Sequence, residues 1–454
     1  MPLLTGEAAV SAQLYREHVN PQWARLLDVL QMNVRYQRCV GAELFSDDGR
    51  RFLDFLSGYC VHNTGHNHPY LVEALQRELE KSGPAMVQSH VADLAGELAA
   101  RLIAQAGGRL GKAFFCSSGS EGVEAAIKFS RAHTGRNGLL YARGAFHGLT
   151  CGALSLMDRP FWRKAFGPLL PGTESVPFGD SIALEEKLRT REIAAFIVEP
   201  VQSEAGVRLP PRGYLQGAQA ACRKYGTLFV LDEVQTGLHR TGGFLAAHDY
   251  GLDPDMVVLA KALSGGLIPA AAVLLSDAIY DSVYGSLERA IVHTSTFSEN
   301  GLAMRAGLAT LDVLEHEHLG ERANSMGVYL RERLREALSG YEMVKEIRGK
   351  GLLNGIEFAP PSTLRLRVFF EVFAKIHSAM FGQVLVMRLF RDEGILTQIC
   401  GNNFMVLKAA PPLTIEERHI DSFVRSITRV VDLMHTSGSF WTEAIGLARR
   451  TVKI

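Results

Sequence analysis

Two short apolar runs, each closed by a charged residue, constrain this chain more than any other feature. Leu228 to Leu231 delivers Asp232 and Glu233 to its end, where Thr236-Gly237 stops it. Met256 to Ala260 delivers Lys261 just ahead of Ser264-Gly265-Gly266. Apolar runs of this length, bounded by turn residues in a chain with helical segments between them, read as strands of a parallel sheet. Such sheets bind ligands outside the carboxyl ends of their strands. One strand end therefore offers a carboxylate and another an amine. Taken singly, Lys261 is an ordinary surface lysine and Asp232 an ordinary helix cap.

Further strand ends carry polar groups in the same way. Lys112 to Cys116 reads as a strand followed by Ser118-Gly119-Ser120-Glu121, a capping box that opens a helix with Val123, Ala126, Ile127 and Ser130 on one face. A helix opening on Ser-Gly-Ser presents free N–H groups and a positive dipole end to an anion, although alone it is no more than a well-capped helix. Leu139 to Ala142 leads into Phe146-His147-Gly148, where Phe146 alone reads as core. Ala195 to Val201 contains Glu199 and precedes Gln202-Ser203-Glu204, and Pro269 to Leu275 is a further strand. A lysine of lowered pKa forms a Schiff base with an aldehyde, and a carboxylate keeps a pyridine nitrogen protonated. Those are the needs of pyridoxal 5'-phosphate (PLP).

The stretch from Leu228 to Gly266 closely resembles the class III, or ω-, aminotransferases of the fold-type I PLP enzymes. The resemblance extends from the hairpin near Asp47 to the helix after Pro412, and Phe161 to Gly172 with Ser57 to His66 looks most like the putrescine/ornithine type. It implies that Lys261 carries the cofactor, that Asp232 pairs with the pyridinium nitrogen and that Gln235 lies beside the ring hydroxyl. Gly119 and Ser120 become the phosphate cradle, Phe146 stacks on the ring next to His147, and Glu199 sits near the cofactor. Thr296, in His293 to Asn300, reaches the phosphate of a neighbouring subunit and so implies a homodimer. Tyr59 and Cys60 line the substrate pocket, with Glu204 at its mouth. The departures are Ser203, Thr294, Ser298 and Glu299 in place of glycines, and Lys408 where most members have arginine. Lysine lacks the planar fork that grips a carboxylate by two hydrogen bonds. It can attract a carboxylate, pair with Glu204, or point to solvent at a strand end. A donor with no carboxylate beside its reacting carbon, such as a terminal amine, follows from this departure.

The implied architecture is α/β: a large PLP-binding domain over residues 60–330 with a mostly parallel sheet between helices, and a small α/β domain from residues 1–59 and 331–454. The implied activity is transfer of an amino group from a primary amine donor to a 2-oxo acid acceptor in two half-reactions. Another PLP reaction on the same fold (aminomutase, racemase or decarboxylating transaminase) and a non-catalytic binding protein are the competing expectations. Lys+Arg and Asp+Glu both number 48, so no net field argues for nucleic acid or an anionic membrane. No apolar run reaches membrane-spanning length, and Met1 to Val19 lacks the basic start and apolar core of a signal peptide. Six scattered cysteines without a C-x-x-C pair suit free thiols in a reducing cytoplasm. His62, His66 and His68 lack paired acidic or cysteine ligands at metal spacing, so no metal is expected. Val368 to Phe390 reads as one long, largely apolar helical stretch, with Phe369, Val372, Phe373 and Ile376 as core or subunit interface. The chain closes with a helix carrying Trp441 and a basic tail of Arg449, Arg450 and Lys453.

Overall fold

A computed structural model describes residues 7–377 and 380–452; Lys453 of the basic tail lies outside the described residues. The apolar runs assemble into one seven-stranded sheet, made of β1 (Leu110–Cys116), β2 (Gly138–Ala142), β3 (Thr173–Val176), β4 (Ile193–Val198), β5 (Leu228–Asp232), β6 (Met256–Leu259) and β7 (Ala271–Ser276). Their spatial order is β1-β7-β6-β5-β4-β2-β3. From β3 to β6 every neighbouring pair is parallel. β7 runs antiparallel to both β6 and β1, a direction that an apolar run cannot reveal. Every residue of β4, β5 and β6 is buried, because helices cover both faces of a sheet of this kind. Continuous hydrophobicity rather than alternation is the sequence signature of that double covering.

The parallel arrangement sets the site. The carboxyl ends of β1, β2, β4, β5 and β6 all open on one edge, and the chain leaving β6 turns through a short 3₁₀ segment, Lys261–Ser264, before β7 starts back from the same edge. The expected hairpin is present: Glu43–Ser46 pairs antiparallel with Arg51–Asp54 across a turn in which Gly49 has φ +83°. Ile395–Leu396 joins it in parallel on Arg51–Asp54, so residues near both ends of the chain share a sheet. A third sheet of four strands includes Val344–Lys350, Leu353–Phe358 and the hairpin of Gln398–Cys400 with Asn403–Ala409.

The single helical stretch expected from Val368 to Phe390 is instead two helices, Leu364–His377 and Phe381–Glu393, bent by 103°. The bend lets both bury aromatic side chains against Trp441, which Phe369, Phe370, Phe373, Phe381 and Phe440 surround. Val372 stays exposed while Phe373 is buried. No single helix among the described residues is long and apolar enough to cross a membrane. The three histidines near the start do not converge on one point. His66 meets Asp54 at 2.7 Å, His68 meets Glu317 at 2.8 Å, and the His62 ring stacks on that of His66.

Candidate active site

The strand ends enclose a cavity of about 470 Å³ whose lining includes Ser117 to Ser120, Phe146 to Gly148, Glu199, Asp232, Gln235 and Lys261, with Val61 and Leu267 to Ala270 among its other walls. At one end the helix Gly119–Thr134 begins with the expected capping box: Ser118 accepts from the Glu121 amide, and the Glu121 carboxylate receives the amides of Ser117 and Ser118. The amides of Gly119 and Ser120 lie at the open first turn, where a helix has no internal acceptor for them. A Cβ on Gly148 would collide with Ser120, so only glycine lets the loop after β2 close on the helix start.

Asp232, buried at the end of β5, accepts the Val234 amide at 3.0 Å and faces His147 Nδ1 at 2.7 Å. Burial works to lower the imidazole's pKa, but the hydrogen bond and charge of Asp232, aided by Glu199, leave it raised. His147 Nε2 is buried without a hydrogen-bond partner. Glu199 accepts the Phe146 amide at 2.9 Å, and burial pushes its carboxyl up to about 7. Lys261 has a left-handed backbone, φ +48°. Burial holds its amine below the usual lysine range, with Lys408 adding to the effect and Cys60, Glu204 and Asp232 opposing it. More of the amine is then neutral and nucleophilic near pH 7.

Behind Gln235 lies a second polar group, set back from the cavity lining. The Gln235 side chain accepts from Ser203 Oγ at 2.9 Å and donates to Glu204 at 3.1 Å. Glu204 pairs with Lys408 and also accepts the Gly401 amide at 2.8 Å. Lys408 is fully enclosed and Glu204 nearly so, so of the three fates open to Lys408 the structure takes the pairing and rejects the solvent. Burial alone would raise the Glu204 carboxyl; Lys408 and the Gly401 amide overcome that and bring it down to about 2. The Tyr59 ring lies 5.6 Å from the Lys408 ammonium, within cation–π range. Cys60 is buried beside Gln235.

Thr296 does not line this cavity. It is exposed on the loop after residue 290, where its carbonyl meets the Gln88 side chain. Three residues to which the sequence assigned no role, Arg240, Trp162 and Asn402, stand outside the cavity lining and brace the site. Arg240, wholly buried, donates to the carbonyls of Leu352 and Pro411 and to the side chains of Ser57 and Asn63. Trp162 sets its ring edge-on to Phe146, 5.4 Å between centroids, and donates to Asn402. The arginine lies within the Leu228 to Gly266 stretch, where nothing local marks it as buried. Around one cavity stand an anion-binding helix start, a buried carboxylate, an aromatic ring and an amine of lowered pKa. That set fits PLP, with its phosphate, ring nitrogen, ring face and aldehyde.

Comparison with known proteins gives a family model, a curated relative and solved structures that are all aminotransferases. Residues 27–431 match the family model described as aminotransferase class-III. The chain is 35% identical over 453 residues to aminotransferase PigE of Serratia sp. (strain ATCC 39006), covering 93% of this chain and 53% of that one. It thus spans about half the length of the curated relative it matches. An (S)-enantioselective omega-transaminase from Thermomicrobium roseum superposes with TM-score 0.82 at 30% identity, over 95% of this chain and 100% of the other. The ornithine aminotransferase of Toxoplasma gondii ME49 does so with TM-score 0.80 at 28% identity, over 95% and 99%.

Proposed function

The chain belongs to the class-III aminotransferases, and on that premise we propose that it moves an amino group from a primary, terminal amine of the ω- or diamine type to a 2-oxo acid. The closed Glu204–Lys408 pair carries the donor assignment: a lysine already neutralised by a buried carboxylate makes a poor second clamp for a carboxylate beside the reacting carbon.

PLP, the family's cofactor, supplies when bound an aldehyde for the donor amine and a ring that withdraws the electron pair left at the reacting carbon. Asp232, oriented by His147, holds a proton at the pyridine nitrogen. Gly119 and Ser120 receive the phosphate, Phe146 covers the ring, Gln235 stands by its hydroxyl, and Glu199 keeps the Phe146 loop in place. The Lys261 amine, kept low in pKa by its enclosure, would take the proton from the donor carbon and return it on the far side of the donor nitrogen, two atoms away. With a 2-oxo acid the same residues run the sequence backwards. Tyr59, Cys60, Glu204 and Lys408, set back from the cavity lining behind Gln235, stand on the substrate side.

The enzyme works as a homodimer in which Thr296 serves the partner's phosphate site. Support comes from its exposure outside its own cavity and from the apolar Leu287, Ile291 and Phe297 exposed on the same segment, a surface that needs cover. The division into a domain over 60–330 and one from 1–59 with 331–454 is supported by the pairing of Arg51–Asp54 with Ile395–Leu396. Six free cysteines fit a cytoplasmic setting.

A panel of terminal amines, diamines and α-amino acids, each with pyruvate or 2-oxoglutarate, tests this directly. Turnover of terminal amines that requires the 2-oxo acid is expected. A strong preference for α-amino acids would overturn the donor assignment, and turnover without any 2-oxo acid would indicate an isomerase.

A further inference from the structure

Phe146 is joined to the large sheet by the loop after β2 and by its amide's bond to Glu199, neither of which touches its ring, yet that ring must keep one plane if it is to cover a cofactor. Part of what holds it comes from more than two hundred residues further along the chain. Asn402, 4% exposed, sits at the tip of the hairpin between Gln398–Cys400 and Asn403–Ala409. Its Nδ2 donates to the carbonyls of Gly144 at 2.9 Å and Ala145 at 3.2 Å, the two residues just before Phe146. Its Oδ1 accepts the Trp162 indole N–H at 2.9 Å, and its amide donates to the Glu204 carbonyl at 2.8 Å.

The chemistry allows one orientation of that side chain. An indole N–H can only donate and a carbonyl can only accept, so an amide placed there is satisfied on both sides and neither a carboxylate nor an aliphatic group would be. Trp162, thus pinned, presents its ring edge-on to Phe146 at 80°. The tip has no spare room: a Cβ on Gly401 would lie 3.1 Å from Glu204 Oε2 and 3.4 Å from the Trp162 ring. The same hairpin carries Lys408 on its second strand. One rigid element therefore touches both the ring-covering loop and the buried ion pair.

We propose that Asn402 and Trp162 are positioning residues that fix the plane of Phe146 over the cofactor, an inference that rests on the PLP site assigned above. Three variants test it: Asn402→Asp, isosteric but repelled by two carbonyls; Asn402→Ala; and Trp162→Phe, which keeps an aromatic ring but removes the N–H together with part of the indole. Apoprotein is titrated with PLP, and the visible circular dichroism of the bound cofactor is recorded. Asn402→Asp and Asn402→Ala should weaken PLP binding about tenfold, the worth of a buried hydrogen bond expressed as an equilibrium constant, and should alter the dichroic band. Trp162→Phe should move both readouts the same way, and Asn402→Ala with Trp162→Phe should cost less than the two singly summed, since they share one bond. Variants that bind PLP within twofold of the parent with an unchanged band, even if less heat-stable, would overturn the proposal. A parent that binds no PLP would overturn the functional assignment itself.

Discussion

Replacing Lys408 by methionine, which keeps most of the length of the side chain and removes its charge, isolates the buried pair. Glu204 is held at about 2 against an ordinary 4.5. Each tenfold change in proton affinity is worth about 1.4 kcal/mol, so the pairing contributes on the order of 3 kcal/mol to folding at pH 7. The sign follows from a folded pKa below the unfolded one. The contribution is complete above 4.5 and disappears as pH falls through about 2, so that a good part of it is already gone at pH 3. In Lys408→Met the carboxylate stays buried without its countercharge, which raises its pKa and adds to the penalty. The total loss at pH 7 should be about 3–5 kcal/mol. Urea midpoints of parent and variant, compared at pH 7 and pH 3 with a common slope, should show a gap that at least halves at the lower pH. Glu204→Gln combined with Lys408→Met should recover most of the loss, because neither partner is then left charged and alone. A gap below about 1 kcal/mol, or one that is the same at both pH values, would refute a buried, closed ion pair.

Three further outcomes are expected at the chemical centre. Borohydride reduction should fix the cofactor to the peptide containing Lys261, and Lys261→Ala should lose turnover while still binding PLP; label on any other lysine rejects the assignment. Asp232→Asn keeps shape but not charge and should lower kcat by about 10²–10³, the usual cost of removing such an electrostatic group; a kcat within a few-fold of the parent would mean that the ring nitrogen is held otherwise. Mixing Lys261→Ala with Thr296→Ala subunits should regenerate activity, since a hybrid dimer has one site with both residues intact. No recovery on mixing would place Thr296 within its own chain, and an active monomer would end the dimer assignment.

What the sequence determined by itself is the chemistry at strand ends. Asp232, Lys261, Gly119, Ser120 and Phe146 each lie within a few residues of the strand that delivers them, and a parallel sheet of buried strands gathers such ends on one edge. Short-range patterns therefore sufficed to find them, and the capping box at Ser118 and Glu121 could be read from spacing alone. Only the tertiary structure decided the rest. The reversed direction of β7 leaves no trace in an apolar run, because a strand buried on both faces looks the same in either sense. The bend between Leu364–His377 and Phe381–Glu393 depends on where Trp441 offers a surface. Lys408 could have clamped, paired or been solvated, and the choice was made by Glu204, 204 residues away in the chain. Asn402, Trp162 and Arg240 belong to the same class: their partners lie far off in sequence, and a residue defined by what it touches becomes visible only when the chain has brought those partners together.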